Sequence, residues 1–210
     1  MSSYYLLNLI SCISCSYPTK IDSKPIENKN IKTVSLVFFF LASFIIIGLL
    51  STSSPLYPIN YWDDSNCFFT MGRGIIHGKI PYRDLYEQKG PVLYFIHAIA
   101  ALISDTNFTG VYLIEVLFCF IYVYYGCQTA MLYTKLNSIS FSIITLLMVL
   151  TYTQFGFHNG DSAEELAFPL LTVVLYYGLK SIRYNRLLSI KESLLIGIIA
   201  GIELDRKSVV

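Results

Sequence analysis

The chain has 210 residues, of which 54% are hydrophobic and only 14% charged, with a net charge of +1 and a mean hydropathy of +0.56. A soluble domain carries about 25% charged residues, so this composition points to a polytopic membrane protein. The near-neutral balance supplies no basic field and excludes nucleic acid as a partner.

Residues 1–32 are polar and Ser-rich and read as a loosely ordered cytoplasmic tail containing Lys20, Lys24, Lys29 and Lys32. Residues 33–50, TVSLVFFFLASFIIIGLL, form an uncharged run long enough to cross ~30 Å of hydrocarbon. A signal peptide is the competing reading, and the long basic lead argues against it. Further apolar stretches run over 108–132, 138–157, 163–179 and 187–204, the last interrupted by Lys191 and Glu192.

Basic residues collect on the cytoplasmic side of short loops. The N-terminal lysines, Lys135, and the cluster Lys180, Arg183, Arg186 and Lys191 therefore mark inside positions, which leaves 51–107 and 157–162 outside. That parity requires the apolar piece 91–104, PVLYFIHAIAALIS, to lie in the interface. Its length and its His97 suit an in-plane or re-entrant helix, whereas a crossing would invert everything after it.

The chemistry is concentrated in the outer loop, 51–107. Asp63 and Asp64 are flanked by Tyr61, Trp62, Phe68 and Phe69, which anchor at the headgroup layer. Adjacent carboxylates repel, which suits one of them to accept a proton; the plainer reading is a solvated helix start. Beyond them FFTMGRGII reads as a short amphipathic helix broken at Gly78, followed by a Pro-Tyr-Arg-Asp turn and Lys89-Gly90-Pro91. Arg73, Lys79, Arg83 and Lys89 are placed to gather around an anion, or else to meet anionic headgroups as ordinary interfacial cations.

Asp63-Asp64, GKIPYRDL at 78–85, Lys89-Gly90-Pro91 and Tyr94 together resemble the first extracytoplasmic loop of bacterial glycosyltransferases with the GT-C fold. These are relatives of the dolichyl-phosphate-mannose protein mannosyltransferases and of the aminoarabinose transferases that modify lipid A. The resemblance covers roughly 33–204 and is specific in the loop, generic in the helices. It implies an all-α helical bundle in the bacterial plasma membrane, with interfacial helices in its first outer loop. It also implies an inverting transfer of a glycosyl group from a polyprenyl-phosphate donor to a lipid, glycan or protein acceptor of the cell envelope. By motif match Asp63 is the catalytic base with Asp64 as its helper, and Lys89, with Arg83, binds the donor phosphate. The family commonly has Asp-Glu where this chain has Asp-Asp, which leaves open which carboxylate is the base. Residues 205–210 follow a helix of barely spanning length and read as the end of a truncated chain.

Three more residues are candidates for a cavity wall. Glu115 lies inside the apolar stretch 108–132, where a charge costs ~2.5 to 3.5 kcal/mol at mid-bilayer, so it is expected to face the bundle interior. His158 and Asp161 belong to FHNGDSAEE at 157–165, in which Ser162 and Glu165 also have the spacing of a capping box. His77 and His97 stand apart from any second ligand at metal spacing, and Cys12-x-x-Cys15 lacks a second pair, so no cofactor or metal site is expected. A transporter or lipid-binding envelope protein is the alternative, since half-buried charges also mark transport paths.

Overall fold

Every long element of the chain is a helix, as its apolar runs require. The computed structural model describes residues 29–133, 138–154, 157 and 160–206, and among them are seven α-helices and no strand. In chain order these are α1 (Lys29–Leu50), α2 (Asp63–Ile76), α3 (Pro91–Ile103), α4 (Thr109–Met131), α5 (Ser138–Thr151), α6 (Ala163–Arg183) and α7 (Ile190–Arg206). The chain divides after Thr33, and the packing below is that of the unit from Val34 onward.

Two helices, α4 with 23 residues and α6 with 21, are long and apolar enough to cross a membrane. The apolar part of α1 described, Leu36–Leu50, is shorter. The runs expected over 138–157 and 187–204 give shorter helices than predicted. Helix α5 stops after 14 residues at Thr151, where Thr153 and Gln154 turn back onto Leu150 and Thr151. Helix α7 has 17 residues and begins with Lys191 and Glu192 in its first turn, Glu192 being clamped by Arg186 at 2.6 and 2.8 Å.

Helix α3 has 13 residues, a rise of about 20 Å against ~30 Å of hydrocarbon, which agrees with an element that does not cross. It starts because Pro91 occupies its first position, where no amide hydrogen is needed. Its buried residues Leu93, Tyr94, His97, Ala98, Ala100 and Ala101 follow helical spacing and face α2 on one side and α4 on the other.

The opposing stripe on α2 is Ser65, Phe68, Phe69 and Gly72. A β-carbon on Gly72 would lie 2.4 Å from the His97 carbonyl carbon, so only glycine allows the two backbones to meet there. The same device recurs at Gly110 of α4, where a β-carbon would come within 2.0 Å of the Ala100 carbonyl oxygen. Helix α2 ends at Gly78, whose φ of 81° breaks the spiral as expected.

Three apolar clusters follow, one of them Phe69, Ala100, Ala101 and Val111 between α2, α3 and α4. Phe39, Ile47, Tyr112, Val116, Cys119 and Val123 pack α1 on α4. Phe68, Met71, Leu93, Tyr94, Ala163 and Leu166 join α2, α3 and the start of α6. Helix α6 begins at Ser162, whose hydroxyl accepts from the Glu165 amide at 3.1 Å, the capping contact expected from the spacing. Ser162→Ala is expected to lower stability by about 1 kcal/mol. Thermal unfolding of the detergent-solubilised protein checks this, with Ser162→Gly closer to the parent as the control.

Candidate functional site

Asp63 and Asp64 form the first turn of α2 and are both exposed. Acidic side chains suit this position, where the helix N-terminus carries a partial positive charge. Cys67, one turn further on, is exposed as well, and its thiol is pushed up by partial burial and then by Glu87, Asp64 and Asp63 in that order. All three carboxylates act on that thiol.

The segment 87–89 is held by tyrosines. Tyr94 is fully buried; its hydroxyl donates to the Glu87 carboxylate and accepts from the Lys89 amide at 2.9 Å. Tyr82 adopts a left-handed φ of 64° and donates to the Lys89 carbonyl at 2.5 Å. Burial would raise the Glu87 carboxyl, but hydrogen bonds from Tyr94 and from the Lys89 and Gln88 amides bring it below its ordinary value. Lys89 thus stands half-buried on a fixed backbone one residue before Gly90, the N-cap of α3.

The four cations predicted to gather around one anion do not do so. Arg73 pairs with Asp105 at 2.8 Å, and His77, expected to stand alone, reaches the same carboxylate at 3.1 Å. Arg83 is clamped on its neighbour Asp84 through Nε and Nη2, both at 2.9 Å, which holds that carboxyl down at about 2, with Lys79 a further influence on it. The reason is local: both arginines have a carboxylate within reach, Asp105 for Arg73 and Asp84 for Arg83. These pairs are exposed, and water screens them, so a bound phosphate competes with them readily.

Beneath the loop lies a second, buried constellation that joins residues expected to be separate. Glu115 of α4 is wholly buried, as its place in an apolar helix requires; its Oε2 accepts from the Ser51 hydroxyl at 2.7 Å, and its Oε1 has no partner among the described residues. Asp161, before α6, is 1% exposed and accepts from the Ser65 hydroxyl at 2.5 Å. Its other oxygen lies 2.9 Å from Nε2 of His97, whose Nδ1 donates to the Leu93 carbonyl at 2.8 Å. His97 is therefore not the interfacial residue predicted. It is 1% exposed, and a buried imidazole in an apolar helix needs a partner, which Asp161 supplies. Burial would lower the imidazole's proton affinity, but the Asp161 carboxylate outweighs it and raises it.

Glu165 completes the group. It is 1% exposed and turns back toward the Asp161 and Ser162 amides, yet neither of its oxygens completes a hydrogen bond among the described residues. Gly160, at φ 109°, makes the approach possible, since a β-carbon there would stand 2.1 Å from the Ser51 hydroxyl and 2.8 Å from Glu115 Oε1. The space among His97, Glu115, Asp161 and Leu166 is too narrow for a water molecule. Among the described residues no set of three His, Cys, Asp or Glu side chains has metal-holding geometry. His158 lies outside the described residues, as do Cys12 and Cys15.

Sequence reasoning found Asp161 and Glu115 but missed their partners. Ser51, Asn60, Ser65 and Glu165 look like loop or capping residues in the sequence. The available signal was His97 itself, a polar ring within an uncharged run. Compared with protein-family models, with curated proteins and with solved structures, the chain matches none.

Proposed function

We propose that the chain is an integral-membrane glycosyltransferase that takes a sugar from a polyprenyl-phosphate carrier and passes it to a cell-envelope acceptor at the outer face of the membrane. The observation that carries this reading is an exposed carboxylate pair at the start of α2 together with a tyrosine-held segment that presents Lys89 just before α3, the helix packed against α2. A transfer of this kind needs a base and a phosphate-neutralising cation on either side of an anomeric carbon.

Asp63, with Asp64 beside it, takes the proton from the acceptor hydroxyl or amine as that atom bonds to the anomeric carbon. The bond from this carbon to the phosphate oxygen breaks on the opposite side, inverting the centre, and polyprenyl phosphate leaves with the electron pair. Lys89 neutralises the departing phosphate. Arg83 joins it by releasing Asp84, an exchange made easy by the exposure of that pair. The two spanning helices α4 and α6 hold Glu115 and Glu165 against the underside of the loop.

Cys67 is the only exposed cysteine among the described residues, Cys119 and Cys127 being buried, and it serves as the reporter. In a version with the other four cysteines replaced, a membrane-impermeant maleimide is expected to label it in intact cells, and added polyprenyl phosphate to suppress the labelling. Labelling only after permeabilisation would reverse the orientation. Labelling from outside that ignores the lipid phosphate would favour a transporter or a lipid-binding envelope protein instead.

A further inference from the structure

We infer that His97 and Asp161, which the proposed chemistry does not use, are positioning residues for the Asp63–Asp64 pair, acting through Ser65. The inference rests on the transferase reading only for its catalytic consequence; the mechanical link stands on contacts within the chain.

Ser65 directly follows Asp64 and is fully buried. Its hydroxyl donates to Asp161 and accepts from Asn60 Nδ2 at 2.9 Å, and the Asn60 side chain also accepts from the Thr52 hydroxyl at 3.1 Å. The same Asp161 carboxylate meets His97 Nε2 at 2.9 Å. A carbonyl only accepts, so the contact with Leu93 fixes the hydrogen on His97 Nδ1, and one further proton is shared between Nε2 and Asp161. In either placement of that proton the pair is net neutral and each of these contacts is satisfied.

His97 also grips α2 at two further points. The Phe68 ring packs edge-on against the imidazole with centroids 5.6 Å apart, and Gly72 rests on the His97 backbone. Ser65, Phe68 and Gly72 are one stripe of α2, so a single residue of α3 and its carboxylate partner set the position and rotation of that helix. The first turn, which carries Asp63 and Asp64, is tied down by Ser65 and by Asn66, whose Nδ2 donates to the Asn60 and Trp62 carbonyls at 2.9 and 2.8 Å. Asp161 keeps a φ of 55°, rare for a residue with a β-carbon, at the point where its carboxylate reaches both helices. The charged groups facing the pair are Glu115 from α4 and Glu165 from α6; α2 presents none. Electrostatic disturbance of the pair therefore arises from those two glutamates.

The test uses the full chain in nanodiscs with Cys67 as the local probe. His97→Gln and Asp161→Asn are expected to change the Cys67 alkylation rate by about fivefold or more, and to shift its preference between neutral and anionic maleimides, as contacts within one network couple. With a polyprenyl-phosphate sugar as donor, kcat is expected to fall about 100-fold, the cost of a small misplacement, with donor KM unchanged. Ser65→Ala keeps the buried pair and its Phe68 and Gly72 contacts and removes the hydroxyl that bonds Asp161 and Asn60, so it guards against variants that fail to fold; the same change at Cys67 is expected from it. Unaltered Cys67 reactivity in a folded Ser65→Ala chain, or a loss of kcat that merely follows the loss of melting temperature, overturns the inference. A parent chain that transfers no sugar while its variants still shift Cys67 would overturn the transferase reading and leave the positioning role standing.

Discussion

Asp63→Asn is expected to lower glycosyl transfer by about 100- to 10,000-fold, the usual worth of a positioned general base. Asparagine keeps the shape of the side chain and cannot take the acceptor's proton. The loss should fall on kcat, because the proposed mechanism assigns donor binding to Lys89 and Arg83, on the far side of the reacting carbon. Folding should barely respond: the residue is exposed, and its interaction with the helix N-terminus is worth about 0.3 to 1 kcal/mol. Turnover with a polyprenyl-phosphate sugar, measured beside the melting temperature, separates the two effects. Asp64→Asn decides between neighbours: a large loss there with near-normal Asp63→Asn would move the base by one residue, and near-normal rates in both would end the assignment.

A change of one methyl group should have the largest effect on the fold. Alanine is about 1 kcal/mol better than glycine inside a helix, so Gly178→Ala on α6, where a β-carbon meets nothing within 4 Å, is expected to leave the protein as stable or slightly more so. Gly72→Ala and Gly110→Ala are expected to do the opposite, by about 1 to 3 kcal/mol or more, because overpacking here meets backbone that cannot swing aside. At Gly72 the added carbon would be 2.6 Å from both the Ala98 nitrogen and the His97 oxygen. Thermal unfolding of the three variants checks the sign. A Gly72→Ala protein that melts no lower than Gly178→Ala would mean that α2 and α3 do not meet as described.

Hydrophobic periodicity was enough to place helices over most of the apolar runs and to bury Glu115. It overran at 138–157 because Thr151, Tyr152, Thr153 and Gln154 continue an apolar-looking stretch while their backbone already turns. The capping role of Ser162 is local and was visible in four residues. The pairing of His97 with Asp161 spans 64 positions and that of Ser65 with Asp161 spans 96, and no local pattern encodes a partner at such a distance. The predicted gathering of cations failed for a related reason: sequence shows that Arg73, Arg83 and Lys89 are near one another but not that Asp105 and Asp84 reach the arginines first. For Asp63 and Asp64 the sequence supplied identity and exposure, whereas the tyrosine contacts that hold Glu87 and Lys89 came only from the fold.

The long reach of the buried contacts bears on how the chain is made. Glu115 finds Ser51 already synthesised 64 residues earlier, so its carboxylate has a hydroxyl donor ready as soon as α4 emerges. His97 and Ser65 look forward instead, to an Asp161 that does not yet exist. At about 5 to 20 residues per second, the 64 residues separating His97 from Asp161 take about 3 to 13 s to translate. During that interval α2 and α3 are joined only by their apolar stripe and the glycine contact, with His97 Nε2 and the Ser65 hydroxyl hydrogen still without the carboxylate that they meet in the fold. A ribosome that pauses in this window holds the nascent pair of helices at its most vulnerable to mispairing or proteolysis, and the arrival of Asp161 locks both at once.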